Sequence, residues 1–242
     1  MKSNISRTFF LLYNFTYQIK KSLRLKLFDL KVLKYLYRYL VDNLHSNYSN
    51  LENEMPWITY SSIDKLNKLL NIEMKVFEFG SGGSTLYYSK RVKEIVSVEH
   101  EPDWSNNVEN IIKAQKIKNI KILLRKAESH YNRSFSDLPY SSTMDKKYSG
   151  FAFNNYVNTI DEFPDHYFDL IVIDGRARPY CLKHSLIKLK QGGFIVYDNV
   201  ERLSYQDETF FSIKNWKIHT GFHPVAGSLS FSITNIYQKP II

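Results

Sequence analysis

A single cysteine, Cys181, stands among 242 residues, so no disulfide can close within the chain, and a reducing, cytoplasmic setting is the expectation. Long apolar runs are also missing: no stretch approaches the roughly 20 residues that a membrane-spanning helix needs. The short run Phe9-Phe10-Leu11-Leu12-Tyr13 is soon interrupted by Asn14, Thr16 and Gln18. No small-residue cleavage site follows it, so it is not read as a leader. Acidic residues are scarce at the start of the chain. Residues 1–44 carry nine basic side chains against Asp29 and Asp42 alone, so about +7 of the net charge of +9 lies there. The remainder is close to neutral, which makes nucleic acid a poor candidate partner.

What is present fits one α/β domain with an appendage. Over residues 19–40 apolar side chains recur at helical spacing among lysines and arginines. This reads either as an amphipathic helix for an anionic membrane surface or acidic partner, or as an extension packed on the main domain. Polar residues 45–54 form a linker, dividing a basic helical extension (1–54) from the main domain (55–242). Ser61 with Asp64 resembles a capping box and predicts a helix over 62–71. Near-continuous apolar strands then appear at 75–79, 94–99, 119–124, 167–173 and 193–197, with helical stretches at 83–91, 104–116 and 180–190. Residues 216–220 and 230–237 read as a closing hairpin. The expected fold is therefore α/β and Rossmann-like: a doubly wound, seven-stranded sheet, mostly parallel, with a C-terminal antiparallel hairpin and an N-terminal helical extension.

The segment Glu78-Phe79-Gly80-Ser81-Gly82-Gly83-Ser84-Thr85 follows the first strand and opens a helix. Glycines there permit a tight turn and close approach of a ligand. Glu99, nineteen residues beyond Gly80, ends the second strand, where a carboxylate can accept bonds from ribose hydroxyls. A dinucleotide fingerprint would need a third glycine where Thr85 stands. An NAD-linked oxidoreductase is thus the weaker enzyme reading, and a non-catalytic nucleoside-binding or interaction module is the alternative outside enzymes. The acid, apolar residue and Gly-x-Gly, with an acid after the second strand, resemble class I S-adenosylmethionine-dependent methyltransferases over about residues 57–239. The resemblance implies Glu78 near the methionine amine and Glu99 on the ribose. Gly80 and Gly82 would pack on the cofactor, with Ser84 or Thr85 on the methionine carboxylate and Glu128 near the adenine. Ser81 and His100 complete the expected cofactor-binding set.

Asp174 ends the fourth strand, and Asp198-Asn199 the fifth. Two carboxylates and an amide oxygen at one sheet edge suit Mg²⁺. The same pattern resembles the divalent-cation-dependent O-methyltransferases, whose metal acidifies the acceptor hydroxyl. Without a metal, Asp174 would hold substrate or the methionine amine, and Asn199 would cap its loop. The lysine that catechol-type enzymes carry after the first metal Asp is missing from Gly175-Arg176-Ala177-Arg178, which leaves Asp174 as the candidate catalytic base. Arg176 and Arg178 raise the prospect of an acidic acceptor, or of structural ion pairs. His223, in the last loop, is read as incidental to substrate, and His184 and Cys181 as packing residues. The long segment 127–167 carries Tyr131, Phe135, Tyr140, Tyr148, Phe151, Phe153 and Tyr156 and is read as a substrate lid or a small subdomain. The expected activity is methyl transfer to a hydroxyl of a sugar or small metabolite.

Overall fold

Neither glycine nor proline occurs before Pro56, and the chain opens in a long helix, α1 (Lys2–Arg24). In the computed structural model, which describes residues 2–44, 48–129, 146–148 and 150–241, α1 is closed off by Lys26, two residues beyond its end, whose φ is +58°. The N–H groups of Lys26 and Leu27 turn back to the carbonyls of Leu23 and Ser22. That is the hydrogen-bond pair of a Schellman cap, with lysine in the place glycine usually takes. The continuous helix expected over 19–40 is therefore broken. Asp29 caps a short 3-10 turn (Leu30–Tyr35), and α2 (Leu36–Leu44) follows. Leu11 and Phe15 on α1 are buried, and Phe15 packs on Tyr39 and Phe231 with ring centroids 5.3 and 5.2 Å away. The extension thus shares one hydrophobic core with the sheet.

The next helix, α3 (Tyr60–Leu69), starts two residues earlier than expected, after Thr59. The capping box is not formed. Ser61 Oγ lies 2.7 Å from His223 Nδ1, and Asp64 instead takes a 2.8 Å bond from Arg38 of α2. Tertiary partners outcompeted the local cap.

Five parallel strands follow: β1 (Lys75–Phe79), β2 (Glu94–Glu99), β3 (Ile120–Leu124), β6 (Phe168–Ile173) and β7 (Leu189–Asp198). Between β3 and β6, β4 (Glu128–Ser129) and β5 (Phe151–Ala152) form a separate two-stranded ribbon. At the far edge β10 (Phe231–Gln238) runs antiparallel to β7 and pairs with both β8 (Lys217–His219) and β9 (Phe222–Pro224). The order is β3-β2-β1-β6-β7-β10-β8, eight strands with β9, one more than expected. Helices α4 (Gly83–Ser89), α5 (Pro102–Ala114), α6 (Asn154–Asn158), α7 (Arg178–Lys188) and α8 (Glu208–Ser212) complete the architecture. The chain winds outward from β1 to β3 and then crosses to β6 on the other side of β1. Beyond the carboxyl ends of β1 and β6 lies the crevice that such a reversal opens.

Among the described residues no helix is long and apolar enough to cross a membrane. Tyr131, Phe135 and Tyr140 lie outside the described residues. Phe153 and Tyr156 are buried, and with Tyr148 they ring His100 at centroid distances of 5.0 to 6.1 Å. These three form a local core; of them, Tyr148 also reaches the cleft.

Candidate active site

The turn after β1 is tight because Gly80 adopts a φ of +100°, a conformation that strains any residue with a Cβ. It opens onto a cleft of about 910 Å³ that Glu78, Gly80, Ser81, Gly82, Ser84, Glu99 and His100 all help to line. Seven of the nine residues expected around a cofactor therefore meet at one cavity. The carboxylate of Glu99 points into the turn. Its Oε2 accepts from both the backbone N–H and the hydroxyl of Ser81, each at 3.0 Å. Its Oε1 accepts from the N–H groups of His100 and Glu101 at 2.7 and 2.9 Å. Burial pushes this carboxyl up, but His100 and the backbone donors of Glu101 and Ser81 outweigh it and hold the group below its ordinary value. The ring Nδ1 of His100 lies 2.8 Å from Oε1 yet off the line a hydrogen bond requires.

Glu78 is almost fully buried at the cleft wall, beside Ser97 of β2. Burial raises its carboxyl to about 7, although hydroxyls of Ser84, Ser97 and Thr85 counteract it. Thr85 corrects an expectation. Its hydroxyl donates to Glu78 at 2.6 Å and accepts from the Gly82 N–H at 2.9 Å. It is fully buried and braces the turn from inside, so Ser84 alone of the pair faces the cleft. Glu128 corrects another. It accepts from Asn154 Nδ2 at 2.6 Å and from the Asn155 N–H at 2.8 Å. A carboxylate at the first turn of α6 satisfies donors the helix leaves open, and it stands outside the cleft.

The wall expected from Glu128 is supplied by Trp104, which sequence reasoning passed over, and by Lys147 and Tyr148 of the segment read as a lid or small subdomain. Trp104 lies over Gly82 and donates its indole N–H to the Ser81 carbonyl at 2.7 Å. Tyr148 donates to Glu101 at 2.6 Å, and Lys147 pairs with the same carboxylate. Pro102, at the first position of α5 just beyond Glu99, was the available signal: it sets a helix start, and so Trp104, at the same sheet edge.

The expected metal ligands converge, but on a side chain. Arg178 Nη2 donates to Asp174 Oδ1 at 2.9 Å, and Nη1 lies 3.2 Å from Asp198 Oδ2 and 3.3 Å from Asn199 Oδ1. The guanidinium also bonds the main-chain carbonyls of Asp174, Gly175 and Asp198. Asp198 is further tied to Thr234, and Asn199 to Ser232. Among the described residues no group of three His, Cys, Asp or Glu side chains is placed to hold a metal ion. The donor set does not fit Mg²⁺, because a buried cation already sits at its centre. Burial works against the charge on Arg178, but the two aspartates outweigh it and strengthen it. Enclosure at the cleft floor and the nearby Asp198 raise the Asp174 carboxyl, and Arg178 moderates them. Two non-glycine residues with positive φ flank this cluster, Ala177 at +48° and Asn199 at +56°, as is common where a site over-determines its backbone.

Arg178 is thus consumed by structure. Arg176 donates to His100 Nε2 at 3.2 Å, while Arg202 and Tyr205, both missed from sequence, line the outer cleft. His223 is buried against Ser61 and Tyr35 and does not line the cleft. Cys181 and His184 lie on α7, with Cys181 in the core and His184 paired to Asp161.

This sheet order and crevice define the Rossmann-like methyltransferase fold, mostly parallel with an antiparallel edge and N-terminal helices. An rRNA methylase from Streptococcus thermophilus shares it at 11% identity and a TM-score of 0.50, over 75% of this chain and 95% of that one. A precorrin-6y C5,15-methyltransferase from Geobacter metallireducens is similar at 13% identity and a TM-score of 0.48, over 73% and 86% of the two chains. The tRNA (m1A58) methyltransferase TrmI from Aquifex aeolicus has 15% identity and a TM-score of 0.48, over 79% and 76%. At such identities the likeness speaks for the fold. No protein-family model and no curated protein matches the sequence.

Proposed function

We propose that the protein binds S-adenosylmethionine at residues 78–100 and transfers its methyl group to a hydroxyl of a small molecule, a sugar or related metabolite. The observation that carries this reading is the Glu99 carboxylate held against Ser81 at the open turn. A ribose diol would take the place of the Ser81 hydroxyl on Oε2 and leave the backbone bonds that orient the carboxylate intact. Glu78, beneath the same turn, is suited to the methionine ammonium, and Trp104 and Tyr148 to the adenine side. The bound cofactor would supply an electrophilic methyl group on a cationic sulfur. Asp174 would accept the acceptor's hydroxyl proton as that oxygen attacks. Its raised affinity for protons makes it a stronger base than an exposed aspartate, and a nearby cation favours the ionised form that a base requires. Positioning supplies the rest of the rate, an effect worth roughly 7–11 kcal/mol at best. Aromatic walls from Tyr48, Trp57 and Tyr205 with Arg202 favour a ring-shaped polar acceptor. Nucleic acid is not the proposed acceptor, because most of the net positive charge lies before residue 45 and the rest of the chain is close to neutral. Residues 55–242 are read as the catalytic domain and 1–54 as its extension.

Calorimetric titration of the full chain with S-adenosylhomocysteine tests the cofactor. Binding is expected, and Glu99→Ala should weaken it at least about tenfold, the cost of one charge-assisted contact. Unchanged affinity in that variant, or tighter binding of NADH, would reject the assignment. With labelled donor and a panel of hydroxylated sugars, Asp174→Asn should keep cofactor affinity and lose roughly 100-fold or more in transfer rate.

A further inference from the structure

We propose that the outer face of α1 docks on an anionic lipid bilayer. The helix is apolar on two sides. Its inner side packs Leu11 and Phe15 into the core, with Ser22 also buried. At about 100° per residue, Phe9, Tyr13 and Tyr17 fall on the opposite side with Ile5, Leu12 and Leu23 along one flank, and all six are exposed, Phe9 to 69% and Tyr13 to 73%. The solvent side of a helix packed on a globular domain is ordinarily polar. Ser6 and Thr16 interrupt this side, and Lys20 and Arg24 continue its line, but such a gathering of exposed apolar side chains marks an interaction surface.

Charge selects the occupant. The first 28 residues contain six basic side chains and no acid. Four of the six, Lys20, Lys21, Arg24 and Lys26, gather at the end of α1, and all four are exposed. A second copy of the chain would bring the same cations against one another with no carboxylate to pair them. Nucleic acid would use the cations but has no partner for Ile5, Leu12 and Leu23. An anionic bilayer satisfies both features, since acyl chains receive the aliphatic side chains, the aromatic residues sit at headgroup depth and the phosphates meet the lysines. No described helix is able to cross the bilayer, so α1 would lie in the plane of the surface. Its position is fixed relative to the cleft: Asn14 on α1 donates to the Leu229 carbonyl at 2.8 Å, and Ser230, the next residue, lines the cleft.

The test is co-sedimentation of the full chain with phosphatidylcholine vesicles, with and without phosphatidylglycerol, at low and high salt. Partition onto the anionic vesicles is expected to exceed that onto neutral ones roughly tenfold or more and to fall with salt. Phe9→Gln with Tyr13→Gln should lower it about tenfold at unchanged helix content. Lys20→Gln with Arg24→Gln, which leaves the apolar row intact, should lower it similarly and flatten the salt dependence. Absence of wild-type binding, equal partition onto neutral vesicles, or full retention by both double variants would overturn the proposal. A dimer abolished by Phe9→Gln with Tyr13→Gln, without vesicle binding, would reassign the face to a second copy.

Discussion

Arg178 and Glu78 show how far a single side chain can depart from what its type promises. An arginine three residues after Gly175, in the turn that follows β6, reads as a substrate contact, yet here it is 7% exposed and bonds two carboxylates, an amide and three carbonyls. Removing one partner of a buried ionic cluster costs about 3–5 kcal/mol, because the remaining charges stay unpaired. Arg178→Ala should therefore lower the melting temperature by about 10 °C for a chain of this size, read by calorimetry. Mn²⁺ should restore part of the loss, since the variant would expose Asp174, Asp198 and Asn199 to a vacant centre. Glu78 invites a different measurement. With a carboxyl raised to about 7 by burial, it is largely protonated in mild acid and ionised above neutrality. If it receives the cofactor's ammonium, affinity for S-adenosylhomocysteine should rise as pH increases through 7. Glu78→Gln should bind weakly and with little pH dependence.

At the scale of elements, residues 50–55 reach into the turn that follows β1. A Cβ on Gly83, the first residue of α4, would stand 2.0 Å from the Asn50 carbonyl oxygen and 2.6 Å from that of Met55. Backbone cannot withdraw as a flexible side chain can, so Gly83→Ala should displace residues 50–55 or the turn itself. We expect a stability loss of about 2–3 kcal/mol and a comparable loss in cofactor affinity, by denaturant melts and calorimetry. What was legible in the sequence follows the same division between local and distant causes. Strands β1, β2, β3, β6 and β7 and the Gly80 turn were readable, because apolar runs and glycine punctuation are local. That Glu99 faces the Gly80 turn was readable as well, because strand order fixes it; its bonds to Ser81 were not. The break in the first helix was not, for Lys26 occupies a left-handed position that nothing in its type announces. Nor was the helix-capping duty of Glu128, whose partners lie 26 and 27 positions away. The metal reading found no support for a related reason. Three oxygen donors at one edge were foreseen, but the cation that joins them is set by the rotamer of Arg178.

Across the whole molecule, two buried groups oppose each other in acid. His223 is 2% exposed, and burial holds it down to about 4 from an ordinary value of 6.5, with Asp29 resisting. Between those values the unfolded chain binds the extra proton, so this group makes stability rise with pH, fully present above 6.5 and lost toward 4. Glu78 does the reverse, because from about 4.5 to 7 the folded chain keeps the proton and stability falls as pH rises. Each is worth up to about 3 kcal/mol across its window, so the two contributions should largely offset each other there. His223→Gln should leave stability falling from pH 5 to 6.5 and Glu78→Gln should leave it rising, a crossing visible in paired thermal melts.

The charge at the cleft floor has one further property. Because it belongs to a side chain, it is installed at translation, cannot be stripped by a chelator and does not vary with the supply of divalent ions in the surroundings. Under the proposed function, Asp174 would begin from a fixed electrostatic setting, one that cannot be exchanged for another ion's and so is open to change only by mutation.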